Sequence, residues 1–318
     1  MTNVCFEPLP HGEVRVLIDG AERTRWHFHD DAPGPFFHPV VGPGGASLTR
    51  MGHPGAPDHD HHRSVWLAHN DVSGVDFWTM GRPARIRQTG WLCYQDAGEV
   101  DGVPEGVLAA SLAWLDGHDP APLLRSTLVA AIQPDESPGA WFLELQVSLE
   151  PTAKTFEFGR TNFGFVAVRV AKAISERFGG GRLTGADGAT GEPALFGQAH
   201  PWMDYSGPNP ATTLTPGGPD VPERAGLTLF DHPSNPGQPT KWHVRSDGWM
   251  GPSVCRDAPL TLAGGASATL RYLLHVHAGD LVPDRAAALA AEFAASRPWE
   301  VVRSTRTHTR HEARRTAG

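Results

Sequence analysis

Short runs of alternating polar and apolar residues, cut repeatedly by glycine or proline, constrain this chain more than any other feature. Trp141–Leu149 sets Phe142, Leu143, Leu145, Val147 and Leu149 in a nearly strict period of two, and Phe163–Val170 does the same with Phe163, Phe165, Val166, Val168 and Val170. That period lays apolar side chains on one face of an extended strand. Comparable runs occur at Glu13–Ile18, Arg23–His29, Ser64–Ala68, Ile86–Gln95, Gly106–Leu115, Leu123–Ile132, Leu227–Phe230, Lys241–Arg245 and Ala268–His277. The 36 Gly and 29 Pro between and around them mark tight turns rather than long helices. About a dozen strands with almost no helical periodicity predict an all-β fold, an antiparallel β-sandwich.

One helix is expected, near the C-terminus. Asp284–Ser296 is Ala-rich, with Leu289 and Phe293 four apart on one face, Pro283 at its start and Pro298 beyond its end. It should pack on the outside of the sandwich. A weaker helical turn is expected within Ala171–Phe178, ended by Gly179–Gly181. Pro33–Arg63 and Gly179–Glu223 lack a period and read as long loops, which are uncommon in compact domains unless functional. No repeat or linker divides the chain, so residues 1–303 are expected to form one β-sandwich domain. Residues 304–318, with four Arg, two His and no apolar face, are expected to be a disordered basic tail.

Charge and cysteine usage narrow the partners. A net charge of −8 argues against nucleic acid, which needs a basic surface. Cys5, Cys93 and Cys255 are few, scattered and odd in number, so reduced thiols and a cytoplasmic location are expected. No apolar run approaches the roughly 20 residues of a membrane span, and Met1–Pro10 carries no leader-like apolar stretch.

Histidine is the strongest chemical signal: eight of the 17 fall between His27 and His69. The densest run is Asp58-His59-Asp60-His61-His62-Arg63. Such a run can exchange protons near neutral pH, grip hydroxyls or bind a divalent metal. In an extended segment His59 and His61 would point one way and His62 the other, so three ligands on one metal would need a bend. His38 precedes Pro39 and should have a defined direction. Trp202-Met203-Asp204-Tyr205 places a carboxylate between two aromatics that could stack on a ring. Along Lys241–Arg245, Trp242 and Val244 should face one side, with Lys241, His243 and Arg245 on the other, poor material for a core. Arg169 stands among Phe165, Val166, Val168 and Val170, where it needs a carboxylate or a ligand. Each has a bland alternative: a loop histidine bound to backbone, a turn-forming Asp, a solvated sheet face, a structural ion pair. Walker, Rossmann and nucleophile-elbow motifs are absent, so no cofactor is predicted.

Phe37-His38-Pro39-Val40, Asp58–Ser64 and Val72-Ser73-Gly74-Val75-Asp76-Phe77-Trp78 resemble the DUF6807 family, as do Trp202–Gly207, Asp231-His232-Pro233-Ser234-Asn235-Pro236 and Pro239–Arg245. These blocks keep the family's order, although the family often has Arg where Gly237 stands. Members are often labelled "PmoA family protein" or "methane oxygenase PmoA". That label conflicts with a chain that has no membrane-span-length apolar run. Members often accompany sugar oxidoreductases and carbohydrate-breakdown enzymes, so the resemblance implies sugar catabolism. It also implies a general likeness to the mutarotase-like supersandwich, where His and carboxylate side chains move protons on a sugar.

The resulting expectation is a carbohydrate-active enzyme, a hydrolase or lyase acting on a glycoside or keto-sugar. His38, His62, Asp204 and His243 are its candidate catalytic residues. His59, His61, Arg63, Trp78, Arg169, Trp202, Tyr205, Asn235, Trp242 and Arg245 are its candidate substrate contacts. His38, the His59–Arg63 run, Asp204 and His243 are expected to line one pocket. His62, flanked by the positive charge of His61 and Arg63, should be held in its neutral form. As a loop side chain, its loss should cost under about 1 kcal/mol. A non-catalytic carbohydrate-binding protein and a His-ligated divalent-metal enzyme are the competing readings.

Overall fold

A computed structural model describes residues 3–53, 55, 59–99, 104–214 and 221–317 of the chain. Its strands are β1 (Val4–Leu9), β2 (Glu13–Ile18), β3 (Ala21–His27), β4 (Phe36–Val40), β5 (Val65–His69), β6 (Arg85–Gln95), β7 (Gly106–Leu115), β8 (Leu124–Pro134), β9 (Trp141–Pro151) and β10 (Thr155–Phe158). They continue as β11 (Gly164–Arg169), β12 (Arg182–Gly185), β13 (Trp202–Pro208), β14 (Arg224–Asp231), β15 (Trp242–Arg245), β16 (Trp249–Pro252), β17 (Leu260–Ala263), β18 (Ala268–Ala278), β19 (Trp299–Arg303) and β20 (His311–Arg315). The helices are α1 (Glu192–Leu195), α2 (Ala211–Leu214) and α3 (Pro283–Ala295).

Two eight-stranded sheets dominate. The first runs β1-β2-β3-β4-β5-β11-β16-β15 and the second β12-β13-β14-β18-β9-β8-β7-β6. Strand pairs among the described residues are antiparallel, as expected. A core cavity lined by Phe37, Val65, Leu67 and Val166 on one side and Leu112, Leu128, Leu145 and Val147 on the other shows the two sheets face to face. The period-two runs therefore do what the sequence implies: one face of each strand closes the core.

The single long helix also falls where expected. α3 buries Ala286, Leu289 and Phe293 against Phe142, Trp202 and Phe230 on the outward face of the second sheet. The helical turn expected within Ala171–Phe178 is a short 3-10 turn, Lys172–Ile174.

Three expectations fail. Phe36–Val40, read as part of a long loop, is β4, paired with β3 and β5. Trp202–Gly207 belongs to β13, paired along its length with β14, rather than to a loop. Its residues alternate between the core (Met203, Tyr205) and the outward face (Trp202, Asp204, Ser206), a period masked because both faces are buried. The C-terminal segment is not a disordered tail: β20 pairs with β19 and buries Ala313 beside Trp299. Its basic residues mislead because Arg315 is consumed structurally. It lies over the Trp299 ring and donates to Glu144 and Glu105, at 2.7 and 2.9 Å.

Arg315→Ala should therefore lower stability by about 1–3 kcal/mol. Thermal unfolding measures it; an unchanged melting temperature would show that the hairpin is dispensable.

Candidate functional site

The site begins with alternation along neighbouring strands of the first sheet. Val166 and Val168 face the core, and Val168 pairs with Met250, which in turn pairs with Val244. Arg169 and its partner Trp249 must then face outward, with Arg245 opposite Trp249. His243 points to the same side as Arg245, and Trp242 to the core, as the sequence implies. Trp66, out of phase with Val65, and Phe36, its partner on β4, continue the outward row. Gly248 closes the β15–β16 turn at φ +100°, where a Cβ would meet the Val170 side chain at 2.9 Å.

Loops close over this row. His62 packs its ring 4.6 Å from Trp249 and 5.7 Å from Trp66. Trp78 lies 5.5 Å from Trp66 and 5.4 Å from Trp249. Phe163 and Phe196 flank His243 at 5.0 and 5.4 Å, and Trp249 lies 5.4 Å from it. His62 and His243, about 180 residues apart in sequence, thus share one aromatic cluster through Trp249.

Within it, His62 Nδ1, both ring nitrogens of His243 and the indole Nε1 atoms of Trp78 and Trp249 are buried and make no hydrogen bond. Burial, then His61, Arg169, His59 and Arg50, hold the His62 imidazole far below its usual range. The neutral form expected for His62 is favoured, but desolvation is the main cause, and His61 rather than Arg63 is the largest charge acting. Burial, with Arg245 next, pulls His243 down to about 4. His62 is 7% exposed, so it is a packed side chain and not the loose loop residue expected.

Arg169 is 1% exposed and donates through Nη1 to Asp247 at 2.7 Å. His53 binds the other Asp247 oxygen at 3.0 Å. Arg50 alongside spends Nε, Nη1 and Nη2 on the carbonyls of Val170, Gly52 and Asp247. Arg245 pairs with Glu192 at 2.8 Å and lies over Phe196.

The His59–Arg63 run is bent, not extended. The His62 N–H donates to the His59 carbonyl, and the rings of His59 and His61 lie 4.9 and 4.3 Å from that of His62. Asp58 lies outside the described residues. Among the described residues, no group of three or more His, Cys, Asp or Glu is disposed to hold a metal ion. Arg63 reaches over Phe36 at 5.4 Å, towards a neighbouring grouping in which His27 stacks on Phe36 and meets the His38 carbonyl at 2.7 Å. His38 thus sits further along the same sheet.

The remaining predicted residues go elsewhere. Asp204 is fully buried on the outward side of the second sheet, accepting from Ser206 Oγ, Thr228 Oγ1 and His277 Nε2 at 2.5, 2.8 and 2.9 Å. Because β13 belongs to the second sheet, Asp204 does not join His62 and His243 in one pocket. Burial opposes the charge of His277, but the hydrogen bond and charge of Asp204 outweigh it and raise its pKa. Trp202 packs under α3. Tyr205 is in the core, its hydroxyl donating to the Arg245 carbonyl at 2.5 Å. Trp242 is in the core, bound to the His200 carbonyl, and Asn235 bridges Asp231 and the Arg271 backbone. Trp66, Trp249, Asp247, Arg50 and His53 were not singled out from sequence. Trp249 and Asp247 could have been found from the Asp-Gly turn that follows the strand carrying His243 and Arg245.

Fold and site define an antiparallel β-sandwich with neutral histidines and tryptophans gathered on one face. The chain belongs to a family of unknown function, DUF6807, which matches residues 13–291. No curated protein matches it. Among solved structures, it is similar to a "Putative kojibiose phosphorylase" from the human microbiome at 8% identity and TM-score 0.35, covering 86% of this chain but only 31% of that one. It is similar to the Slr1438 protein of Synechocystis sp. PCC 6803 at 10% identity and TM-score 0.30, covering 88% of this chain and 96% of that one. It is also similar to a "Putative aldose 1-epimerase" of Escherichia coli K12 at 13% identity and TM-score 0.32, covering 87% of this chain and all of the other. These likenesses are too faint to bear on function. No helix among the described residues is long and apolar enough to cross a membrane, and Cys5, Cys93 and Cys255 are free thiols.

Two outcomes follow. Asp204→Ala should destabilise by about 3–5 kcal/mol, because it strands the buried imidazole of His277; a loss under about 1 kcal/mol in chemical denaturation would contradict the pairing. Acid should also unfold the chain early. His243, held near 4, binds no proton in the fold but does in the unfolded chain below about 6.5. Stability is therefore full above that pH and falls, by about 1.4 kcal/mol per unit, as pH drops toward 4. His243→Phe should flatten this slope in melting curves across the window.

Proposed function

We propose that this chain is a carbohydrate-active enzyme, a lyase or hydrolase acting on a glycoside or keto-sugar, with His62 and His243 exchanging protons. The observation that carries this reading is the pair of buried, neutral imidazoles, with Nδ1 of His62 and both ring nitrogens of His243 lacking partners, set beside Trp78 and Trp249, whose N–H groups also lack partners. Buried polar atoms are normally satisfied, and strongly perturbed groups concentrate at functional sites. Tryptophan faces suit the apolar side of a sugar ring.

The cluster favours proton abstraction over oxocarbenium chemistry. Glycoside hydrolysis of the usual kind needs two available carboxylates, whereas Asp247 and Glu192 are committed to Arg169 and Arg245. In the lyase step a neutral imidazole takes the proton next to a sugar carbonyl. The electron pair moves onto the carbonyl oxygen, where the indole N–H groups of Trp78 and Trp249 can hold the developing charge. Collapse of that enolate breaks the C–O bond one carbon further on, and the leaving oxygen takes its proton from the imidazolium.

The test is a panel of glycosides and 3-keto-glycosides with wild type and His62→Phe, which fills the same ring-shaped slot. The variant should keep its melting temperature and lose about 10²–10⁴ in kcat/KM. Undiminished turnover would remove His62 from the chemistry. Binding without turnover across the panel would make the protein a carbohydrate-binding module.

A further inference from the structure

The guanidinium of Arg169 is half used. Nη1 is taken by Asp247, while Nε and Nη2 are buried and make no hydrogen bond. Nε and Nη2 carry the parallel N–H bonds of one guanidinium edge, the fork that matches the two oxygens of a carboxylate. Arg23, Arg63, Arg271 and Arg306 each leave Nε alone, but among the described residues Arg169 leaves a whole edge. Arg50, which touches the same Asp247, shows how a purely structural arginine behaves here: its three nitrogens all end on carbonyls.

The local charge is also out of balance. Arg50 and Arg169 are two cations against the single carboxylate of Asp247. His53, which shares that carboxylate, is itself pulled toward its neutral form by burial. An excess buried cation is costly unless something negative meets it. The open edge belongs to the candidate site, because Arg169 is the cross-strand partner of Trp249 and its charge acts on His62.

We propose that the substrate of this site is a sugar acid, and that Arg169 holds its carboxylate through Nε and Nη2. The inference rests on the sugar-site reading above and narrows it to an anionic sugar. Arg169 is a specificity-determining residue in this scheme: it selects the acid over the neutral sugar of the same shape.

The experiment compares three sugar probes on the intact chain by calorimetry, methyl β-D-glucuronide, its uronamide and methyl β-D-glucoside, with acetate as a bare carboxylate control. The glucuronide should bind about 10- to 100-fold more tightly than either neutral probe, the range of a charge-assisted hydrogen-bond pair. Arg169→Lys retains the charge opposite Asp247 but not the fork, and should erase most of that preference while still binding the glucoside. The comparison in wild type stands without the variant, should Arg169→Lys not fold. Equal binding of the three probes would overturn the sugar-acid proposal and leave the sugar site in place. Acetate binding as well as the glucuronide would keep the anion fork and overturn the sugar reading. No binding of any probe would overturn both.

Discussion

The pleat of three strands, β11, β16 and β15, is the constraint on which the site depends. Val166, Val168, Met250, Val244 and Trp242 must turn inward, because they belong to the apolar core between the sheets, where Val166 shares a cavity with Leu128, Leu145 and Val147. Each inward residue dictates an outward neighbour, and those neighbours are Arg169, Trp249, His243 and Arg245. A register slip of one residue would exchange the two sets, placing a guanidinium and an imidazole between the sheets. The hydrophobic core thus fixes the register, and the register assembles the chemistry. The tight turn at Gly248 then sets Asp247 against Arg169, so the ion pair is a consequence of the same strand pairing.

Burial has opposite results on the two sheets, and a single carboxylate makes the difference. His277 and His243 are both nearly inaccessible. His277 meets Asp204 at 2.9 Å, and its charged form is favoured. His243 meets aromatic rings, with no carboxylate within hydrogen-bond distance, and its charged form is suppressed. The same reasoning separates Asp204 from the His62–His243 cluster. Its oxygens already accept from Ser206, Thr228 and His277, so little capacity is left for a substrate.

Legibility in the sequence followed how visible a residue's surroundings were along the chain. Strands with one apolar face announced themselves: β2 and β7 run as read, and the split of Trp242 and Val244 from His243 and Arg245 holds. β13 was hidden because polar Asp204 and Ser206 are buried by partners on other strands, which no local pattern reveals. The C-terminal hairpin was hidden because Arg315 reads as a solvated charge until Glu144 and Glu105 are placed beside it. In the candidate cluster, histidine density pointed to His62, and strand parity to the outward side of His243. Trp66 and Trp249 went unremarked because a tryptophan in a strand is ordinarily core, and only their contact with His62 distinguishes them.

The two polar groupings also differ in what they contribute to the fold. The Asp204 grouping is closed: its donors and acceptors meet one another, as expected of a network retained for structure. The His62 grouping is open, leaving indole, imidazole and guanidinium groups without partners. Each such group costs about 1–3 kcal/mol when left unmet, and apolar residues of similar shape would remove that cost at once. A cluster of this kind lowers stability as it stands, and the large apolar core between the sheets can carry the deficit. On the function proposed above, a ligand that met these groups would offset that deficit, in keeping with the concentration of strain and unmet hydrogen bonds where activity requires them.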